Sequence, residues 1–166
     1  MVGISLPAYT APQKDRELII RAAYLYNFTK FVIWSEAPES TTDNFTFCVV
    51  ENEYFSNILI KIVNGRTIAG KNTRIRNISS NDSLANCHLL YIHQDTLSLN
   101  SLYLKNIADT PSLTVGNAAA FNELGGIIRF YMKNNKLKFE INNDRALKSG
   151  LKIDSQLLRL GKRPNR

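Results

Sequence analysis

The amino-acid sequence predicts an α/β fold: a three-layer sandwich with a mainly parallel central sheet, flanked by helices and finished by a C-terminal antiparallel hairpin. Three observations carry this expectation. Segments with helical apolar spacing alternate with short β-branched and aromatic runs along most of the chain, the order that builds parallel strands joined by crossover helices. Near the end the pattern changes, and residues 125–132 and 137–142 flank an Asn134-Asn135 turn. At 166 residues the chain has the size of one domain and can bury roughly 70% of its unfolded surface.

The elements follow in chain order. Residues 1–13 hold the small residues that precede a signal-peptidase cut, without a charged leading region or a full apolar segment. They read as a flexible N-terminus, the remnant of a secretory signal; a flexible cytosolic N-terminus is the alternative. Residues 14–34 read as one core helix, with Leu18, Ala22, Leu25, Phe28 and Val32 at i, i+4 and i+7 spacings. Residues 35–44 are rich in Ser, Thr, Glu and Asp around Pro38 and form a loop. Strands are expected at 45–50, 73–78, 87–92 and 113–115, and helices at 54–63, 97–107 and, briefly, 118–121.

In the hairpin, Asn tolerates φ > 0, so a two-residue turn sets the register: Met132 pairs with Leu137, Phe130 with Phe139, Ile128 with Ile141. One face is then apolar, and the other sets Arg129 opposite Glu140 and Tyr131 opposite Lys138. Asn142, Asn143 and Asp144 supply capping side chains for a short helix at 145–149, and Gly150 stands where a left-handed residue closes it. Asp154 or Ser155 caps a last helix at 156–160. A single domain therefore covers residues 14–161, with a basic, disordered tail at 162–166. No apolar run reaches the ~18 residues of a membrane span.

Several motifs point to chemistry that their context does not support. Gly65 to Asn72 nearly spells a phosphate-binding loop, but Asn72 replaces the hydroxyl residue and the segment follows a helix and precedes a strand. Its glycines read as turns. His88 and His93 are the two histidines and fall on opposite faces of a strand, so they share no metal; His88 reads as a satisfied core or strand-edge side chain. Glu51 and Glu53 end the first strand without a suitably placed Asp and Lys to complete a phosphoacceptor pocket. A net charge of +7 raises nucleic acid as a partner, and Arg66, Lys71, Arg74 and Arg76 make a modest basic patch. The other basic residues are scattered and no nucleic-acid-binding motif accompanies them, so a solvated face is expected and no nucleic acid.

Cys48 and Cys87 have neither C-x-x-C spacing nor a Cys/His cluster around them, which removes redox-motif and zinc readings. Two alternatives stay open: a bridge in an oxidising compartment, or two buried thiols in a reducing one.

Five segments in order resemble the YfiR/HmsC-like family of bacterial periplasmic regulators: residues 22–34 (AAYLYNFTKFVIW), 113–116 (LTVG), 125–130 (GGIIRF), 139–142 (FEIN) and 155–160 (SQLLRL). The resemblance implies a non-enzymatic periplasmic protein, without cofactor or metal, that binds the periplasmic sensor region of a membrane-anchored diguanylate cyclase. It would hold that enzyme inactive and so lower cyclic di-GMP and biofilm formation, with an outer-membrane lipoprotein as a further, competing partner. It also tips Cys48 and Cys87 toward a disulfide; family members can carry a second pair, and this chain has none. A homodimer is the expected assembly.

The resemblance places Glu140, Asn142, Arg145 and Lys148 in one of the family's most characteristic segments, and these four are the expected partner-binding residues. The structural alternative is that Glu140 pairs with Arg129 and Asn142 caps the helix; the apolar residues around 26–31 are then next in line. The competing function is a small-ligand-binding sensor module whose pocket lies at the carboxyl ends of the parallel strands.

Overall fold

The computed structural model describes residues 12–34, 43–79, 81–93 and 111–164. The first helix, α1 (Gln13–Phe28), buries Leu18, Ala22, Leu25 and Phe28. It is shorter than its apolar pattern suggests. A 3-10 turn, Thr29–Phe31, follows, and Val32–Trp34 is a strand, β1, rather than the last turn of the helix. The cause is tertiary: β1 pairs antiparallel with β9 (Leu151–Ile153), Val32 against Ile153 and Trp34 against Leu151. Paired, half-buried β-branched and aromatic residues suit a strand better than a helix end.

Among the described residues the main sheet holds seven strands. β2 (Asn44–Val50), β4 (Lys71–Ile78), β5 (Leu89–Ile92), β6 (Leu113–Gly116) and β7 (Ile128–Lys133) run parallel in the order β4-β2-β5-β6-β7. β3 (Thr67–Ile68) and β8 (Lys136–Ile141) close the two edges antiparallel. The sheet is thus the mainly parallel one expected, with its C-terminal hairpin, and the small β1–β9 sheet is an addition. α2 (Glu53–Val63) crosses from β2 to β3, its start capped by Asn52, whose side chain accepts from the Phe55 N–H. The phosphate-loop look-alike is the β3–β4 turn: Ala69 and Gly70 sit at φ 50° and 75°.

Strand alternation makes two cores. Phe45, Phe47, Val49, Leu89, Tyr91, Val115, Ile128 and Phe130 face the layer that carries all four described helices. Cys48, Val50, Ile78, Leu90 and Ile92 face the other way, against Cys87, Ala118 and Phe121. The expected helix at 118–121 is instead a run of turns: Phe121 N–H donates to Ala118 O, and Gly126 N–H to Phe121 O. Gly125, at φ 102°, ends it before a second helical turn can form. The helix expected at 97–107, most of the 35–44 loop and residues 1–11 lie outside the described residues.

The hairpin has the register read from its turn, Phe130 against Phe139 and Ile128 against Ile141, with Asn134 and Asn135 at φ 53° and 58°. Asn142 caps α3 (Asn143–Lys148), Gly150 takes φ 75°, and Asp154 caps α4 (Ser155–Leu160). Beyond Gly161, Lys162 is pinned rather than loose. It donates to Phe139 O and accepts from Ile141 N–H, adding one rung to the outer edge of β8. Among the described residues no helix is long and apolar enough to cross a membrane.

Candidate partner-binding site

The helical spacing of α1 sets Tyr24, Asn27 and Phe28, with Phe31 one turn on, against the hairpin. The Tyr24 ring lies edge-on to Phe130 and Phe139, at 5.9 and 5.7 Å, and Phe28 stands 5.1 Å from Phe139. α4 brings Leu157 and Leu160 to the same place. Between α1, β8 and α4 runs a groove of about 480 Å³ with Lys30 at its side and β8 residues 137–139 along one wall. Leu160, at its mouth, is 74% exposed, and Met132 at the hairpin tip is also open to solvent. An apolar floor with a polar rim is the anatomy of a protein-binding surface.

The rim is basic. Lys30 lies 4.6 Å from the centre of the Tyr26 ring and donates to Asn27 Oδ1; Arg66 stacks over the same ring. Lys133 and Lys136 face each other across the end of the hairpin. Among the described residues, Lys30, Lys133, Lys136 and Lys138 have no carboxylate partner.

The four residues expected to form the partner surface are adjacent but differently used. Glu140 is buried, and its Oε1 accepts from Arg129 Nε across the hairpin; the rung at Lys162 covers the strand there. Asn142 Oδ1 accepts from the Arg145 N–H as the cap of α3. Arg145 is half-buried and donates through Nε to Gly125 O at 3.0 Å. Lys148 alone is exposed. Glu140 and Asn142 thus take the structural roles named as their alternative, the pair with Arg129 and the helix cap; alternation gives a side chain its direction, but not what the rest of the chain lays over it.

The remaining candidates are structural. His88 Nδ1 accepts from the Thr46 N–H at 3.1 Å, and its ring stacks 4.7 Å from that of Phe45. Burial pushes its pKa down, and the charge of Lys71 adds to this, so the imidazole is held neutral as an acceptor. Arg76, from the basic patch, donates to the carbonyls of Ser83 and Ala85. No group of His, Cys, Asp and Glu among the described residues could hold a metal ion. Cys48 and Cys87 are joined by a disulfide, their Cα atoms 5.7 Å apart, and both are buried in the second core.

One comparison bears on the whole of this fold. The family model described as YfiR/HmsC-like matches residues 19–162. The chain belongs to the YfiR/HmsC-like family. No curated protein matches it. The match runs from the second turn of α1 to the rung at Lys162, so it covers every element that lines the groove. YfiR/HmsC-like membership points to a periplasmic regulator of diguanylate cyclase signalling. A buried disulfide fits that compartment.

The groove itself was missed in sequence because it is assembled from three separate elements. One signal was present. Leu160 is the last apolar residue before Gly161, and residues 133, 136 and 138 place lysines around a turn whose other face is wholly apolar.

Proposed function

We propose that this YfiR/HmsC-like protein binds the periplasmic sensor region of a membrane-anchored diguanylate cyclase through the α1–β8–α4 groove and holds the cyclase inactive. The observation that carries the reading is the family match over residues 19–162, which spans the whole groove. The mechanism is differential affinity: a regulator that binds the inactive conformation better than the active one shifts the population toward it, and cyclic di-GMP falls. An outer-membrane lipoprotein taking the same groove would release the cyclase. The chain acts without catalysis of its own.

Co-purification with a detergent-solubilised membrane cyclase, together with cyclic di-GMP measured in cells that carry both proteins, tests this. Retention of the cyclase and a fall in cyclic di-GMP on expression are expected. No retention and unchanged cyclic di-GMP at normal protein abundance overturn it. The groove's volume also falls in the range of small-ligand sites. A metabolite that raises the melting temperature, alongside an absence of cyclase binding, would favour the sensor-module alternative.

A further inference from the structure

An edge strand has its backbone satisfied on one side only, and β8 is such a strand. It pairs with β7 along its length and meets Lys162 on the other side, through the Phe139 carbonyl and the Ile141 N–H. The antiparallel ladder turns peptide groups outward at every second residue. Since Phe139 and Ile141 face outward, Leu137 does too. Among the described residues nothing meets the Leu137 N–H or C=O. An open edge of this kind is a template for another strand.

The two faces beside that edge differ in chemistry. Leu137 and Phe139 lie on the side of the sheet that α1 covers and line the groove, so a side chain from an added strand on that side enters it. Lys136 and Lys138 alternate to the opposite face, and Lys133 sits directly across from Lys136. Like charges in opposed positions destabilise a hairpin, and no carboxylate among the described residues offsets these. An incoming strand that alternates apolar and acidic residues meets all three demands: its backbone completes the edge, its apolar side chains fill the groove, and its carboxylates face the lysines.

We propose that β8 takes, by strand addition at Leu137, an extended segment of a partner protein whose side chains alternate apolar and acidic. The proposal rests on the regulatory reading above and specifies what the partner presents to this groove.

The test uses the full chain and a fluorescently labelled synthetic peptide of alternating valine and glutamate, with binding followed by anisotropy. The peptide binds, and the Lys136→Glu/Lys138→Glu double variant weakens it about tenfold. N-methylation of the peptide's alternate amides on the edge facing β8 weakens it to a similar degree. Leu137→Pro removes the outward N–H at an edge position where proline is tolerated, and it too weakens binding, with the melting temperature measured in parallel to establish that the variant is folded. No binding, equal binding of the N-methylated peptide, or unchanged affinity in the folded lysine variant overturns the proposal.

The same variants separate this idea from the regulatory reading. If wild type and the lysine variant retain the cyclase equally, strand addition fails and the regulatory reading stands. If neither retains it while the peptide shows the stated dependence on lysines and backbone, the regulatory reading fails and strand addition stands.

Discussion

Phe121 occupies the volume that a side chain on Gly126 would need: a Cβ built on Gly126 overlaps the Phe121 ring, as does one built on Gly116. The ring is fully buried in the second core, wedged between the end of β6 and the approach to β7. Gly126→Ala is expected to cost about 1–3 kcal/mol, the usual penalty for overpacking a filled site. The double variant Gly126→Ala/Phe121→Ala should lose less than the sum of the two singles, because each change relieves what the other disturbs. Urea unfolding of the four proteins checks it, and full additivity would mean that the two sites are not coupled.

The bridge ties β2 to the segment entering β5 across a sequence separation of 39. Closing a loop of this length stabilises the folded state by roughly 4 kcal/mol in the chain-entropy model. Thiol titration of denatured, unreduced protein should find no free thiol. Replacing both Cys48 and Cys87 by Ala should lower the melting temperature clearly; two titratable thiols in protein made in the periplasm would refute the pairing there.

Phe130 and Phe139 are cross-strand neighbours that both touch Tyr24. Truncating either to Ala should cost about 3–5 kcal/mol. The polar face of the same hairpin is not indifferent either, since Arg129 and Glu140 are both largely buried and pair with each other. Arg129→Ala strands the Glu140 carboxylate and should cost about 3 kcal/mol, the lower end for a broken buried pair. Removing both partners together should cost less than Arg129→Ala alone; a larger loss in the double variant would contradict this account.

His88 links stability to pH. Its pKa is held below the ordinary 6.5 by burial and then by Lys71, so the unfolded chain takes up its proton first as pH falls. Stability from this residue is complete above pH 6.5 and is lost as pH drops from there toward the lowered folded value. Melting temperature measured across that window should decline with acidification in the wild type. His88→Asn, which keeps an acceptor for the Thr46 N–H but does not titrate, should flatten the decline; an unaltered pH profile in this variant would assign it to other groups.

Local chemistry alone specifies the hairpin and the helix caps that follow it. A two-residue turn of asparagines that accept positive φ and apolar alternation on both sides leave one register, and Asn142, Gly150 and Asp154 or Ser155 stand at successive helix ends; the structure has that register and uses Asp154 of the last two. The alternation of strands and helices likewise makes the sheet mainly parallel, because strands separated by crossover helices return in the same direction.

Other features depend on contacts between residues far apart in the chain. Val32–Trp34 continues the apolar pattern of α1 and carries no signal of its own; it is a strand because Leu151–Ile153 lies beside it. Glu140 points to the face that alternation assigns, yet it is buried because Arg129 crosses to it and Lys162 closes over the strand's outer edge. The groove exists only once α1, β8 and α4 converge. Turns, caps and register are decided by interactions within a few residues, which a sequence displays directly. Burial and surface shape are decided by which distant segments pack together, and the same local pattern is compatible with either outcome until they do.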